Sequence, residues 1–98
     1  MAITKQFLKS KPICKVTFTV KEEEANNVSL VGSWNSWNTE SVPLKKLKNG
    51  TFKATLDFEK DKSYEFRYLV DGEWKNEEEA DDFAWNDFAA DQNSVLNL

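Results

Sequence analysis

Apolar and polar residues alternate with a period of two along most of this chain. Cys14, Val16, Phe18 and Val20 are separated by Lys15, Thr17 and Thr19. Phe52, Ala54, Leu56 and Phe58 alternate with Thr51, Lys53, Thr55 and Asp57. Tyr64, Phe66, Tyr68 and Val70 alternate with Glu65, Arg67, Leu69 and Asp71. Successive side chains of a strand point to opposite faces, so each run predicts a strand with one buried face. Residues 28–31, 44–48 and 95–98 are shorter strand candidates. Asn49-Gly50 and Asp71-Gly72 predict tight hairpins, because both residue types tolerate positive φ. Residues 59–63 form a polar connection of the length of another tight turn. Nothing carries a helical stripe, and residues 77–80 make at most one turn. Short strands punctuated by polar turns predict an all-β, antiparallel β-sandwich.

Two segments resist this pattern. Residues 21–27 are charged and read as a solvated crossover between sheets. Residues 74–93 are acidic and aromatic, with Trp74, Phe83, Trp85 and Phe88 among seven carboxylates. The simplest expectation is a solvated loop pinned by some of its aromatics, which is compatible with a binding role.

Composition narrows the chemistry. Ninety-eight residues make one domain, taken as 1–98. The chain starts with Met1 and has no linker-like stretch at either end, so it is read as standing alone. The net charge of −4 argues against nucleic acid. No apolar stretch reaches membrane-spanning length and no secretory leader is recognisable, so the expected location is cytoplasmic, with no membrane partner. The single Cys14 lies on an apolar stripe and is expected to be a buried thiol. With no histidine, the usual catalytic base and zinc ligand are missing. Carboxylates are plentiful but lie in exposed-looking runs, where nothing would raise a pKa for acid catalysis. Residues 77–91 lack the ligand spacing and glycine of a calcium loop. The expectation is a protein that is not an enzyme, with no metal and no cofactor.

A binding surface is better supported. Gly32-Ser33-Trp34-Asn35-Ser36-Trp37 places two of the four tryptophans three residues apart in a polar turn. An exposed indole meets the C–H face of a sugar ring, and neighbouring amides meet its hydroxyls. Core packing is the competing fate of either ring, since Trp is highly buried on average. Trp37 and Trp74 both fall at turns. Arg67 and Leu69 lie opposite the apolar stripe of their strand, which leaves one of them available outside the core. Asn35, Asn76 and Asn93 offer amides that both donate and accept.

These residues carry a resemblance. The Gly32 to Trp37 block, Pro43-Leu44, the run Tyr64-Glu65-Phe66-Arg67-Tyr68-Leu69-Val70-Asp71-Gly72-Glu73-Trp74, and Asn93-Ser94-Val95 resemble the glycogen-binding module of the AMP-activated protein kinase β subunit. They also resemble the N-terminal modules of isoamylases and branching enzymes, grouped as carbohydrate-binding module family 48. The similarity spans residues 15–98, and the order and spacing of the blocks are its specific part.

The resemblance implies an immunoglobulin-like (early-set) sandwich that binds α-1,4-linked glucan (glycogen, starch or maltooligosaccharide). It implies Trp37 and Trp74 as stacking platforms and Arg67 and Asn93 as hydrogen-bonding partners. Trp34 falls where the family packs an inward Phe, so it is expected in the core. The family's binding loop often carries glycine, whereas here it reads Phe88-Ala89-Ala90-Asp91-Gln92. The alternative is a protein-interaction or regulatory domain acting on a glycogen-metabolising enzyme, with sugar binding weak or lost.

Overall fold

The computed structural model describes all residues except 1, 23, 36, 38–41 and 88–89. It is an immunoglobulin-like β-sandwich of two antiparallel sheets. In chain order the strands are β1 (Ala2–Phe7), β2 (Ile13–Lys21), β3 (Val28–Gly32), β4 (Lys45–Lys46), β5 (Thr51–Glu59), β6 (Ser63–Val70), β7 (Glu73–Lys75), β8 (Asp82–Asn86) and β9 (Asp91–Asn97). One sheet has the order β1-β2-β5-β4. The other runs β3-β6-β9-β8, with the short β7 also paired to β6.

The period-two stripes become the core. Cys14, Val16, Phe18 and Val20 of β2 are fully buried, as are Phe66 and Tyr68 of β6. Phe18 meets Phe66 edge-on at 5.3 Å between ring centroids, which locks the two sheets together at their centre. Phe52 and Phe58 of β5 are buried, but Ala54 and Leu56 between them are only half covered. The Asp71-Gly72 turn forms the β6–β7 hairpin, with φ of 46° and 87° at its two residues. Both values lie in the left-handed region that a tight hairpin requires. Asp71 also accepts the backbone N–H groups of Asn26 and Asn27, at 3.0 and 2.8 Å, which anchors the crossover before β3. That crossover is not simply solvated, because Ala25 within it is buried.

Two sequence expectations change, and one strand is added where the sequence suggested no element. Residues 74–93 are not one loop: they contain the end of β7, all of β8 and the start of β9. Strand β8 pairs with β9 from Asp82↔Val95 to Asn86↔Asp91 and forms an edge of the sheet, with Asp82 on it and most of the other acidic residues in the turns on either side. The chain's start is also structured, as β1 pairs along β2 from Ala2↔Thr19 to Phe7↔Cys14. The strand expected over residues 44–48 shrinks to Lys45–Lys46.

The carboxylates of this segment are not all exposed either. Glu77 is fully buried. Its Oε1 accepts from the Tyr68 hydroxyl at 2.9 Å, and its Oε2 accepts from the backbone N–H of Glu79 at 3.0 Å. Burial, the Glu77 charge and this hydrogen bond together push the Tyr68 phenol far above its ordinary range.

Candidate functional site

The outer face of the second sheet is built by register. Directly opposed residues of an antiparallel pair share a face. Arg67 lies opposite Val31 of β3, and Leu69 lies opposite Trp74 of β7. Glu65 lies opposite Val95 of β9, so Asn93 and Asp91, two and four residues earlier, alternate onto that same side. One sheet face thus brings together Trp74, Arg67, Glu65, Asn93 and Asp91.

Arg67 sits at the centre of this face. It is 7% exposed, deeper than its place on an outer strand face suggests. Its Nη2 is 3.1 Å from the Asp91 carboxylate. Its guanidinium carbon lies 5.5 Å from the Trp74 ring centroid, within cation–π range. Its Nε is buried with no hydrogen-bond partner among the described residues. Trp74 itself is 43% exposed, so one of its flanks is held by arginine while much of the ring stays open.

Asn93 is only 3% exposed. Its amide donates to Glu65 Oε1 at 3.2 Å, and its Oδ1 accepts from Asn86 at 3.4 Å. It therefore clamps three neighbouring strands, β6, β9 and β8. A sugar reaching it would meet an amide already engaged on both sides.

Trp37 is placed by the turn that ends β3. Residues Ser33–Asn35 form one 3-10 turn, and the backbone N–H of Trp37 then donates to the Gly32 carbonyl at 3.1 Å. The turn is tied to β6 by the Glu65 N–H, which donates to Ser33 Oγ at 3.2 Å. Trp37 has φ of 58°, a left-handed conformation that costs a bulky residue about 1–3 kcal/mol. It is half-buried. Trp34 behaves differently, packing edge-on against Phe58 at 5.0 Å and Tyr64 at 6.2 Å. It is half-buried against the core, as expected for the inward position of this turn. Gly32 is required beneath it, because a Cβ there would overlap the Trp34 ring. Ser36, Phe88, Ala89 and the Asn35 amide fall outside the described residues. Ala90 adopts φ of 52°, the conformation that glycine takes without strain.

A depression of about 360 Å³ has Trp37, Glu65, Asn93, Trp85 and Asp87 in its lining, and through Glu65 and Asn93 it adjoins this face. The structure therefore divides the four predicted residues in two. Trp74 and Arg67 stack together, while Trp37 and Asn93 border the adjoining depression. Glu65, Asp91 and Trp85 were not singled out by the sequence. Trp85 is 62% exposed, and its indole N–H donates to Asp87 at 2.7 Å. The only signal for it was its place in the acidic aromatic stretch. Asn76, a candidate amide, is engaged elsewhere: it donates to the Gln92 carbonyl at 2.7 Å and accepts from Ser94 Oγ at 3.0 Å.

Among the described residues no helix is long and apolar enough to cross a membrane. No curated protein matches the chain. The sequence model of one family, described as the glycogen recognition site of AMP-activated protein kinase, matches residues 14–97. That span runs from the first residue of the β2 core stripe to the end of β9, and so includes the whole outer face described above. The family is one of carbohydrate-binding modules, which are non-catalytic domains. With nearly its whole length matched, the chain belongs to the glycogen-recognition family of AMP-activated protein kinase modules.

Proposed function

We propose that this chain binds α-1,4-linked glucan on the outer face of its second sheet, with Trp74 and Trp37 as stacking platforms. The observation that carries this reading is the half-open Trp74 ring held beside the Arg67 guanidinium. The Arg67 guanidinium lies 5.5 Å from that ring's centroid, and N–H donors beside an indole suit glucose hydroxyls. Trp37 borders a depression whose polar lining, Glu65 and Asn93, suits further hydroxyls. Asn93 takes part by holding Glu65 in place or by exchanging its Asn86 contact for a sugar hydroxyl. Covering about 100 Å² of a Trp contributes at most about 2.5 kcal/mol at ~25 cal/mol/Å². Association costs reduce the sum, so affinity in the range of roughly tens of micromolar to millimolar is expected. A polymer that offers many sites compensates for weak binding at each.

Tryptophan fluorescence and calorimetric titration with maltoheptaose test the reading, and an absence of binding overturns it. A second reading is docking on a glycogen-metabolising enzyme, favoured by Phe83 and Trp85, exposed apolar residues on the edge strand β8. It would then be Phe83→Ala, not Trp74→Ala, that abolishes association with the enzyme.

A further inference from the structure

The charge of the proposed surface carries a second conclusion. Arg67 is the cation beside the Trp74 platform, and guanidinium is the natural partner of a phosphate group. Here, however, its Nη2 is taken by Asp91 at 3.1 Å. Glu65 shares the same sheet face, and Glu65 and Asp87 both line the adjoining depression. Arg67 is thus compensated, and carboxylates dominate what surrounds it. A glucose hydroxyl both donates and accepts, so it can satisfy a carboxylate as readily as a guanidinium. A phosphate monoester carries about −1.5 to −2 charge at pH 7 and offers acceptor oxygens to groups that also only accept.

Resting on the α-glucan reading above, we propose that Asp91 sets a charge specificity: the surface takes unphosphorylated glucan and rejects glucan bearing phosphate monoesters. The Asp91 side chain is 57% exposed, so it reaches an incoming ligand and its effect is sensitive to salt. By contrast, the neutral glucan has no net charge to screen.

The test is calorimetric titration of the chain with maltoheptaose and with maltoheptaose 6-phosphate. It is run at about 0.01 M and about 1 M salt, where the Debye length is ~30 Å and ~3 Å. At low salt the phosphorylated ligand is expected to bind at least about tenfold more weakly. That gap should close to less than about threefold at high salt. Asp91→Asn should narrow the low-salt gap at least about threefold, and Asp87→Asn, measured in parallel, should narrow it less, because the Asp87 carboxylate accepts from the Trp85 indole and Asp91 is the one paired with Arg67. Equal affinities at low salt overturn the specificity while leaving the α-glucan reading intact. So does a gap that persists at high salt, which would mean exclusion by shape. A gap unchanged in Asp91→Asn removes Asp91 from the role. Failure to bind maltoheptaose in either salt overturns the α-glucan reading itself.

Discussion

The two faces of β6 carry aromatic and charged residues side by side, yet they are built to opposite ends. On the inner face Phe66 and Tyr68 are fully covered, and the Tyr68 hydroxyl closes on the buried Glu77 carboxylate. Both oxygens of that carboxylate have donors, so the polar pair is complete and belongs to the core. On the outer face Arg67 is nearly as buried, but its guanidinium keeps a nitrogen without a partner and lies against a half-open indole. Burial alone does not separate a structural residue from a binding one. The separation lies in whether the hydrogen-bonding capacity is used up and whether the neighbouring ring is covered.

The same contrast divides the tryptophans, and it can be broken by substitution. The largest effect is expected from Trp34→Ala. This variant removes a ring that packs on Phe58 and Tyr64, and urea melts should show a loss of about 3 kcal/mol. A variant as stable as the parent would place Trp34 with the outer group instead.

Next comes Tyr68→Phe, which leaves one oxygen of a buried carboxylate without its donor and should cost about 2 kcal/mol. The parent's pH dependence sharpens the point. The phenol is held above its ordinary value of about 10, so the native state keeps its proton there while the unfolded chain loses it. The stability from Tyr68 is therefore full below about pH 10 and falls as the pH rises further. Absorbance of ionised tyrosine should show Tyr68 titrating only as the protein unfolds.

Trp37→Ala and Trp74→Ala should weaken maltoheptaose binding about tenfold each, or 1.4 kcal/mol. Exposed Trp74 should leave stability within about 0.5 kcal/mol of the parent. Relief of the left-handed strain at position 37 is not expected, because alanine is also disfavoured there. If either variant unfolds, its ring belongs with Trp34.

The smallest effect concerns the contact between β1 and Asp81, the residue just before β8. Lys5 Nζ lies 2.6 Å from Asp81. Burial pushes the Asp81 carboxyl up, but the Lys5 ammonium and the Asn97 backbone N–H outweigh it and hold the group below its usual range. A depressed carboxylate contributes stability above its unfolded pKa of about 3.9 and loses it as the pH falls through the lower native value. Asp81→Asn should cost about 0.5–1 kcal/mol at neutral pH, with the difference vanishing in strong acid.

The sandwich and its core stripes were legible in the sequence because period-two alternation reports burial directly, as in β2 and β6. Strand β8 was not legible. Its Asp82-Phe83-Ala84-Trp85-Asn86 is largely exposed on both sides, since an edge strand has little to bury and no reason to alternate. Buried Glu77 escaped for a similar reason. Its neighbours Glu78 and Glu79 are exposed, and the Tyr68 hydroxyl and Ser94 Oγ that hold Glu77 come from strands distant in sequence.

The sequence by itself determined the strands with a buried face, the hairpin at Asp71-Gly72 and the family, whose resemblance in turn implied Trp34 as the inward ring of the Gly32 to Trp37 turn. These follow from local alternation, turn chemistry and motif order. Only the tertiary structure decided how Arg67 is used. Its partners Trp74 and Asp91 come from different strands, and sheet register alone brings them to one guanidinium. The same holds for Asn93, which looks like a free amide in the sequence. It becomes a buried clamp because β6 and β8 close on both sides of β9. Hydrogen-bonding groups are visible in a sequence, but whether they are already spent depends on neighbours that only the fold supplies.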